Sequence, residues 1–92
     1  MADVVNQENY ENMMYALKVF SKSAEDAGAE LLACCEQASQ VFPSGDKISD
    51  AIVEKAKIVA VKYQQIANAA VSVADSIQAD LDQLKIEGKI WS

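Results

Sequence analysis

The chain has 92 residues, enough for one domain, with 51% hydrophobic residues (many of them alanine), three glycines and one proline. That composition favours helix, because alanine surrenders the least conformational freedom there. A net charge of −6, without arginine or histidine, argues against nucleic acid, which is bound through cation–phosphate contacts, and against an anionic membrane surface.

In chain order, Met1-Ala2-Asp3-Val4-Val5-Asn6 carries neither a basic segment nor an apolar core, so no ordinary secretory signal is expected. Nowhere does an apolar run approach the ~20 residues that span a bilayer, so no membrane insertion is expected either. Helix 1 is expected over about residues 7–41, with Asn6 as N-cap and Glu8 and Glu11 near the positive end of the helix dipole. Tyr10, Met13, Leu17, Phe20, Ala24, Ala27, Leu31, Cys34, Ala38 and Val41 come in steps of three and four, a heptad seam. Beside it runs a second, partial stripe of Met14, Gly28, Cys35 and Phe42.

Cys34 and Cys35 are neighbours. Adjacent Cα atoms lie about 3.8 Å apart, short of the roughly 5.5–6 Å that a disulfide prefers. Both read as small core residues in a reduced compartment. An intermolecular disulfide after export is one alternative and a metal site another, although no histidine or further cysteine completes a shell.

Phe42-Pro43-Ser44-Gly45-Asp46 is the turn. Pro43 removes a backbone donor and disfavours αR at Phe42, so helix 1 should stop near Val41, with Ser44 or Asp46 capping the second helix. So short a link makes two long helices antiparallel neighbours. Helix 2, over about 47–87, carries Ile48, Ile52, Ala56, Val59, Tyr63, Ile66, Ala70, Val73, Ile77, Leu81 and Leu84. A flanking stripe of Val53, Ala60, Ala67, Ala74 and Leu81 widens its apolar face. Gly88 is the expected stop. Each helix should be roughly 50–60 Å long. The acidic end of helix 1 (Glu25, Asp26, Glu30, Glu36) should meet the lysines opening helix 2 (Lys47, Lys55, Lys57, Lys62) and favour this register. The tail, residues 88–92, holds the only tryptophan: Trp91 with Ile90 forms either a hydrophobic clasp or an exposed recognition element.

The fold expected is therefore all-α, a single antiparallel two-helix hairpin over residues 1–92. Catalysis is not expected, and neither is a cofactor or metal. Histidine, the commonest general base, is absent. Glu30 and Glu36 oppose a thiolate at Cys34 or Cys35, and Asp75, Asp80 and Asp82 read as solvated charges. Each helix carries more apolar surface than one partner helix covers. Met14, Cys35, Val53, Ala60, Ala67 and Leu81 are the residues expected on an outer band, pairing the hairpin into a four-helix bundle with itself or a related hairpin.

These features resemble the WXG100 (ESAT-6-like) family of small helical-hairpin proteins in bacterial type VII secretion. The likeness covers the whole chain: its length, two long helices of near-equal size, an acidic balance and a mid-chain turn. Phe42-Pro43-Ser44-Gly45 stands where that family has Trp-x-Gly. The family's Tyr-x-x-x-Asp/Glu export element has no counterpart, Tyr63 being followed by Gln64, Gln65, Ile66 and Ala67. The resemblance implies homo- or heterodimerisation and no cofactor. It also implies a cytoplasmic protein exported without a cleaved signal, or one that pairs with a larger secreted effector. A structural or adaptor coiled-coil protein of a phage or cytosolic assembly is the competing reading.

Overall fold

The computed structural model describes residues 5–43 and 45–91, apart from the side chains of Val5 and Trp91. A short strand β1 (Val5–Asn6) leads into helix α1 (Gln7–Ser39). Helix α2 (Lys47–Ile86) returns antiparallel, and a second short strand β2 (Ile90–Trp91) ends the described chain. The fold is the expected all-α hairpin, a rod of 67 × 16 × 15 Å.

The helix ends obey local chemistry. Asn6 caps α1, its side chain accepting from the Glu8 N–H at 2.8 Å, and Asp46 caps α2 by accepting from the Ile48 N–H at 2.7 Å. Helix α1 stops at Ser39, two residues short of the expected Val41. The N–H groups of Gln40, Val41 and Phe42 reach back only three residues, to Gln37, Ala38 and Ser39. This tightened turn satisfies carbonyls left open once Pro43 bars αR at Phe42. Gly45 takes φ 80, which L-residues rarely adopt. Ser44, expected as a cap and as part of the turn motif, lies outside the described residues.

At the far end Gly88, with φ 71, donates to Lys85, and Lys89 then donates to Leu84 at 2.9 Å. This pair of bonds is a Schellman stop, and it reverses the chain. The tail then runs beside β1, with parallel pairing of Val5 to Ile90 and Asn6 to Trp91. Ile90 is half-buried there. The tail's backbone is therefore tied to β1, while the side chain of Trp91 lies outside the described residues.

Two sequence-based expectations about the seam need correction. Met14 (8% exposed), Ala67 (1%) and Leu81 (2%) are buried between the helices, and Cys35, Val53 and Ala60 are half-buried. None of these six is exposed on an outer band. Conversely Met13, Phe20, Val41, Ile48, Ile66 and Val73, read as seam residues, are exposed. The reason is arithmetic. Starting from Tyr10, Leu17, Ala24 and Leu31, a heptad closes equally well through Met13, Phe20, Ala27 and Cys34 or through Met14, Ser21, Gly28 and Cys35. The oilier series looks right by hydropathy, but the smaller series is the one that faces α2.

Close approach decides it. A Cβ built on Gly28 would stand 3.0 Å from the Tyr63 Cβ and 3.5 Å from the Ala60 carbonyl oxygen. Ser21 is buried, and its hydroxyl donates to the Ala67 carbonyl at 2.9 Å. Ala24, Ala56, Ala67, Ala70 and Ala74 complete a small-residue seam. On α2 the steps Val53, Ala56, Ala60, Tyr63, Ala67, Ala70, Ala74, Ile77, Leu81 and Leu84 alternate three and four without interruption. The apparent flanking stripe is half of the true seam.

Candidate interaction surface

Large apolar side chains occupy the positions next to the small seam. On α1 they precede the buried series: Met13, Phe20, Cys34 and Val41 come just before Met14, Ser21, Cys35 and Phe42. On α2 they are Ile52, Val59, Ile66 and Val73, just before Val53, Ala60, Ala67 and Ala74. An antiparallel pair has a pseudo-twofold axis normal to its faces, which carries this edge of α1 onto the matching edge of α2 on the same face. The two apolar edges therefore lie side by side. Phe20 is 53% exposed, Met13 and Ile66 46% each, and Val73 50%. From Met13 to Val41 the band runs about 42 Å at 1.5 Å per residue.

The grooves of the hairpin agree with this assignment. An open groove of about 260 Å³ on the apolar face is lined by Leu31, Cys35, Ile52, Lys55, Ala56 and Val59. Its walls are almost wholly apolar atoms, and Lys55 stands at its rim. The groove on the opposite face, about 530 Å³, is lined by Ser39, Ser49, Asp50, Val53, Glu54 and Lys57 and is the more polar of the two. On that face the Ser49 hydroxyl donates to the Ser39 carbonyl at 3.1 Å, and Gln64 Nε2 donates to Glu25 at 3.2 Å. The two faces differ in character: one carries the paired apolar edges, while the other is more polar, although Tyr15, Val61 and Val71 are exposed on that side.

The charges do not behave as the sequence suggested. The acidic end of α1 and the lysines of α2 make no cross-hairpin ion pair among the described residues. The salt bridges found there are Lys22–Asp26 and Lys89–Glu87, both local and both 3.4 Å. Glu25 takes an amide from α2 in place of a lysine. The close contacts that fit this register lie in the small seam, where Gly28 packs against Tyr63 and Ala60 and Ser21 donates to the Ala67 carbonyl, and exposed pairs would have added little.

At the end away from the turn, the Tyr10 hydroxyl donates to Asp80 Oδ2 at 2.7 Å. That hydrogen bond, some loss of solvation and the charge of Asp80 raise the Tyr10 pKa above its usual value near 10. Asp82 accepts from Gln78, and Asp75, Asp80 and Asp82 are exposed, each at a different level of α2.

Cys34 is exposed on the apolar face, so the expectation of two core cysteines is corrected for it; Cys35 is half-buried in the groove. Among the described residues no three cysteine or carboxylate side chains converge on a point that could hold a metal ion. No helix there is long and apolar enough to cross a membrane. Sequence reasoning missed Ser21 altogether, since a serine interrupts an apolar pattern. It also put the exposed band on the wrong residues. The signal available was the run of residues with small side chains at seven-residue spacing, Ser21 and Gly28 opposite Ala60, Ala67 and Ala74.

Comparison of the chain with protein-family models, with curated proteins and with solved structures finds no match.

Proposed function

We propose that this protein is a non-catalytic helical-hairpin binding protein that acts by laying its apolar face against another helical hairpin to form a four-helix bundle. Its setting in this reading is type VII secretion, as a small substrate or as the targeting partner of a larger effector. The observation that carries the binding role is the inversion of side-chain size. Apart from Met14 and Leu81, the residues buried between α1 and α2 are small, and Phe20, Ile66 and Val73 are turned outward on one face. Monomeric proteins rarely leave so long an apolar band uncovered, and such bands mark interfaces. The secretion setting is supported by the resemblance in size, hairpin architecture, mid-chain turn and acidic balance.

The binding role is tested by light scattering on the purified chain with Phe20→Lys. The exchange should abolish pairing while helical circular dichroism is kept, because Phe20 is half outside the hairpin. A wild-type chain that stays monomeric at high concentration, alone and with every related hairpin of its host, would refute it. The secretion role is tested in the native host. The protein should appear in the culture supernatant without lysis, or an effector should fail to appear there when the protein is deleted. Neither effect, together with co-purification on a large cytosolic assembly, would favour the adaptor reading instead.

A further inference from the structure

The apolar face has two flanks, and their charges differ. One step outward from the apolar edge, α1 carries Ala16, Ser23 and Glu30, while α2 carries Lys55, Lys62, Ala69 and Ser76. Glu30 is the charge on one flank, and Lys55 and Lys62 are the charges on the other; all three are exposed and none is in an ion pair among the described residues.

Their levels along the rod match. A residue of α1 lies beside the residue of α2 whose number brings the total to about 90, as the contacts Tyr10–Asp80, Ser21–Ala67 and Glu25–Gln64 show. Glu30 is thus level with a point between Lys55 and Lys62, about 3–8 Å from each along the axis. Within one hairpin they cannot meet, because the breadth of the apolar face separates them.

We propose that the occupant of this face is a second copy of the chain, placed with its turn at the same end. In this arrangement α1 of each copy lies against α2 of the other, and Glu30 of each pairs with Lys55 and Lys62 of its partner. The inference rests on the proposed pairing of this face with a hairpin, and adds which hairpin and in which orientation.

A twofold axis along the rod brings α1 of one copy opposite α2 of the other at the same level. It therefore sets the acidic flank on the basic flank twice over. The alternative twofold, perpendicular to the rod and passing through the middle of the face, would set Lys62 against its own copy. Size agrees as well. A compact protein of 10.0 kDa exposes about 5,200 Å², whereas this hairpin exposes 6574 Å². The excess, about 1,300 Å² per copy, is more than the roughly 800 Å² that each partner gives to an interface of standard size. On the half of the face away from the turn, the flanking Ala16, Ser23, Ala69 and Ser76 are small, which leaves room for Phe20 of each copy.

Sedimentation equilibrium of the full chain at low salt, with circular dichroism on every variant, tests the arrangement. The wild type should be a dimer. Lys55→Glu with Lys62→Glu should weaken self-association about tenfold or more, because each Glu30 then faces two like charges. Glu30→Lys alone should weaken it too. Adding Glu30→Lys to the double variant in one chain should restore wild-type dimerisation, and mixing the Glu30→Lys chain with the double variant should give a 1:1 heterodimer. A monomeric wild type would overturn the second copy as occupant, and with it the self-pairing form of the proposed function. A wild-type dimer whose affinity is unmoved by the double variant, or not recovered in the triple variant, would overturn this orientation and leave pairing standing.

Discussion

Replacing Gly28 by alanine isolates the feature on which the hairpin's register depends. In an exposed helix position the change would stabilise by about 1 kcal/mol, because glycine is the poorer helix former. Here the new methyl would sit 3.0 Å from the Tyr63 Cβ. Favourable carbon–carbon separation is about 3.5–4.0 Å, so α1 and α2 must part locally by at least ~0.5 Å. The obstacle is the root of a side chain fixed to α2, with the Ala60 oxygen at 3.5 Å and its Cα at 3.7 Å behind it, so no flexible tip can move aside. A gap of 0.5–1 Å forfeits roughly a quarter to a half of each neighbouring contact, and overpacking of this kind typically costs about 1–3 kcal/mol. The net expectation is destabilisation of about 1 kcal/mol. Urea unfolding monitored by circular dichroism, at one fixed protein concentration, measures it. Ala33→Gly, on the exposed back of α1, supplies the propensity scale in the same helix and should lose about 1 kcal/mol. A Gly28→Ala chain stabilised by the full value of that control would refute close approach at this point.

Single residues elsewhere carry further expectations. Leu81 is the largest fully buried side chain, and Leu81→Ala should cost about 2–5 kcal/mol in the same unfolding assay. Ser21→Ala removes a buried hydroxyl whose acceptor also belongs to a helix, so the loss should be no more than about 1 kcal/mol, where Ser21→Leu should prevent the helices from closing. Asp46→Ala removes the cap of α2 and should cost about 1 kcal/mol, visible as a lower urea midpoint. Ultraviolet titration should show Tyr10 ionising above the ordinary tyrosine value, with the upward shift lost in Asp80→Asn. Since the folded chain holds that proton more tightly than the unfolded one, the contribution is complete below about pH 10 and is lost as pH rises through the raised value.

Much of the fold is legible in the residues because its signals are local. Asn6, Asp46, Pro43 and Gly88 each act on their own backbone, and each performs as its chemistry dictates. The early end of α1, at Ser39 and not Val41, has a local cause as well: the i→i−3 bonds of Gln40 to Phe42 ahead of Pro43. The seam is a different kind of question. Periodicity states that a helix has an apolar side but does not say which of two adjacent heptad series faces the partner helix. Hydropathy favours Met13, Phe20 and Ile66; interaxial distance favours Ser21, Gly28 and Ala67, and distance is a property of both helices together. Charge misleads for the same reason. Opposite signs on α1 and α2 look like an internal match in one dimension, whereas Glu30 and Lys62 stand on opposite flanks of the rod.

The allocation of side chains ties folding to pairing. A buried alanine gains about the value of one methyl group, ~0.8 kcal/mol, where a buried leucine, isoleucine or phenylalanine gains about 1.5–3 kcal/mol. Ordering the backbone of either residue costs a similar 1–2 kcal/mol, roughly. A seam built on Ala24, Ala56, Ala67, Ala70 and Ala74 therefore recovers less of that cost within the hairpin than an ordinary leucine seam would. The larger gain is deferred to Phe20, Ile66, Val73 and Met13, which reach an apolar environment only when something covers their face. Small residues inside make this possible in a second way: thin contacts bring α1 and α2 close together, so the two apolar edges lie side by side as one band. A partner that covers this band stabilises the folded hairpin by mass action, and the same surface that makes the isolated rod a modest fold makes it a strong half of a bundle.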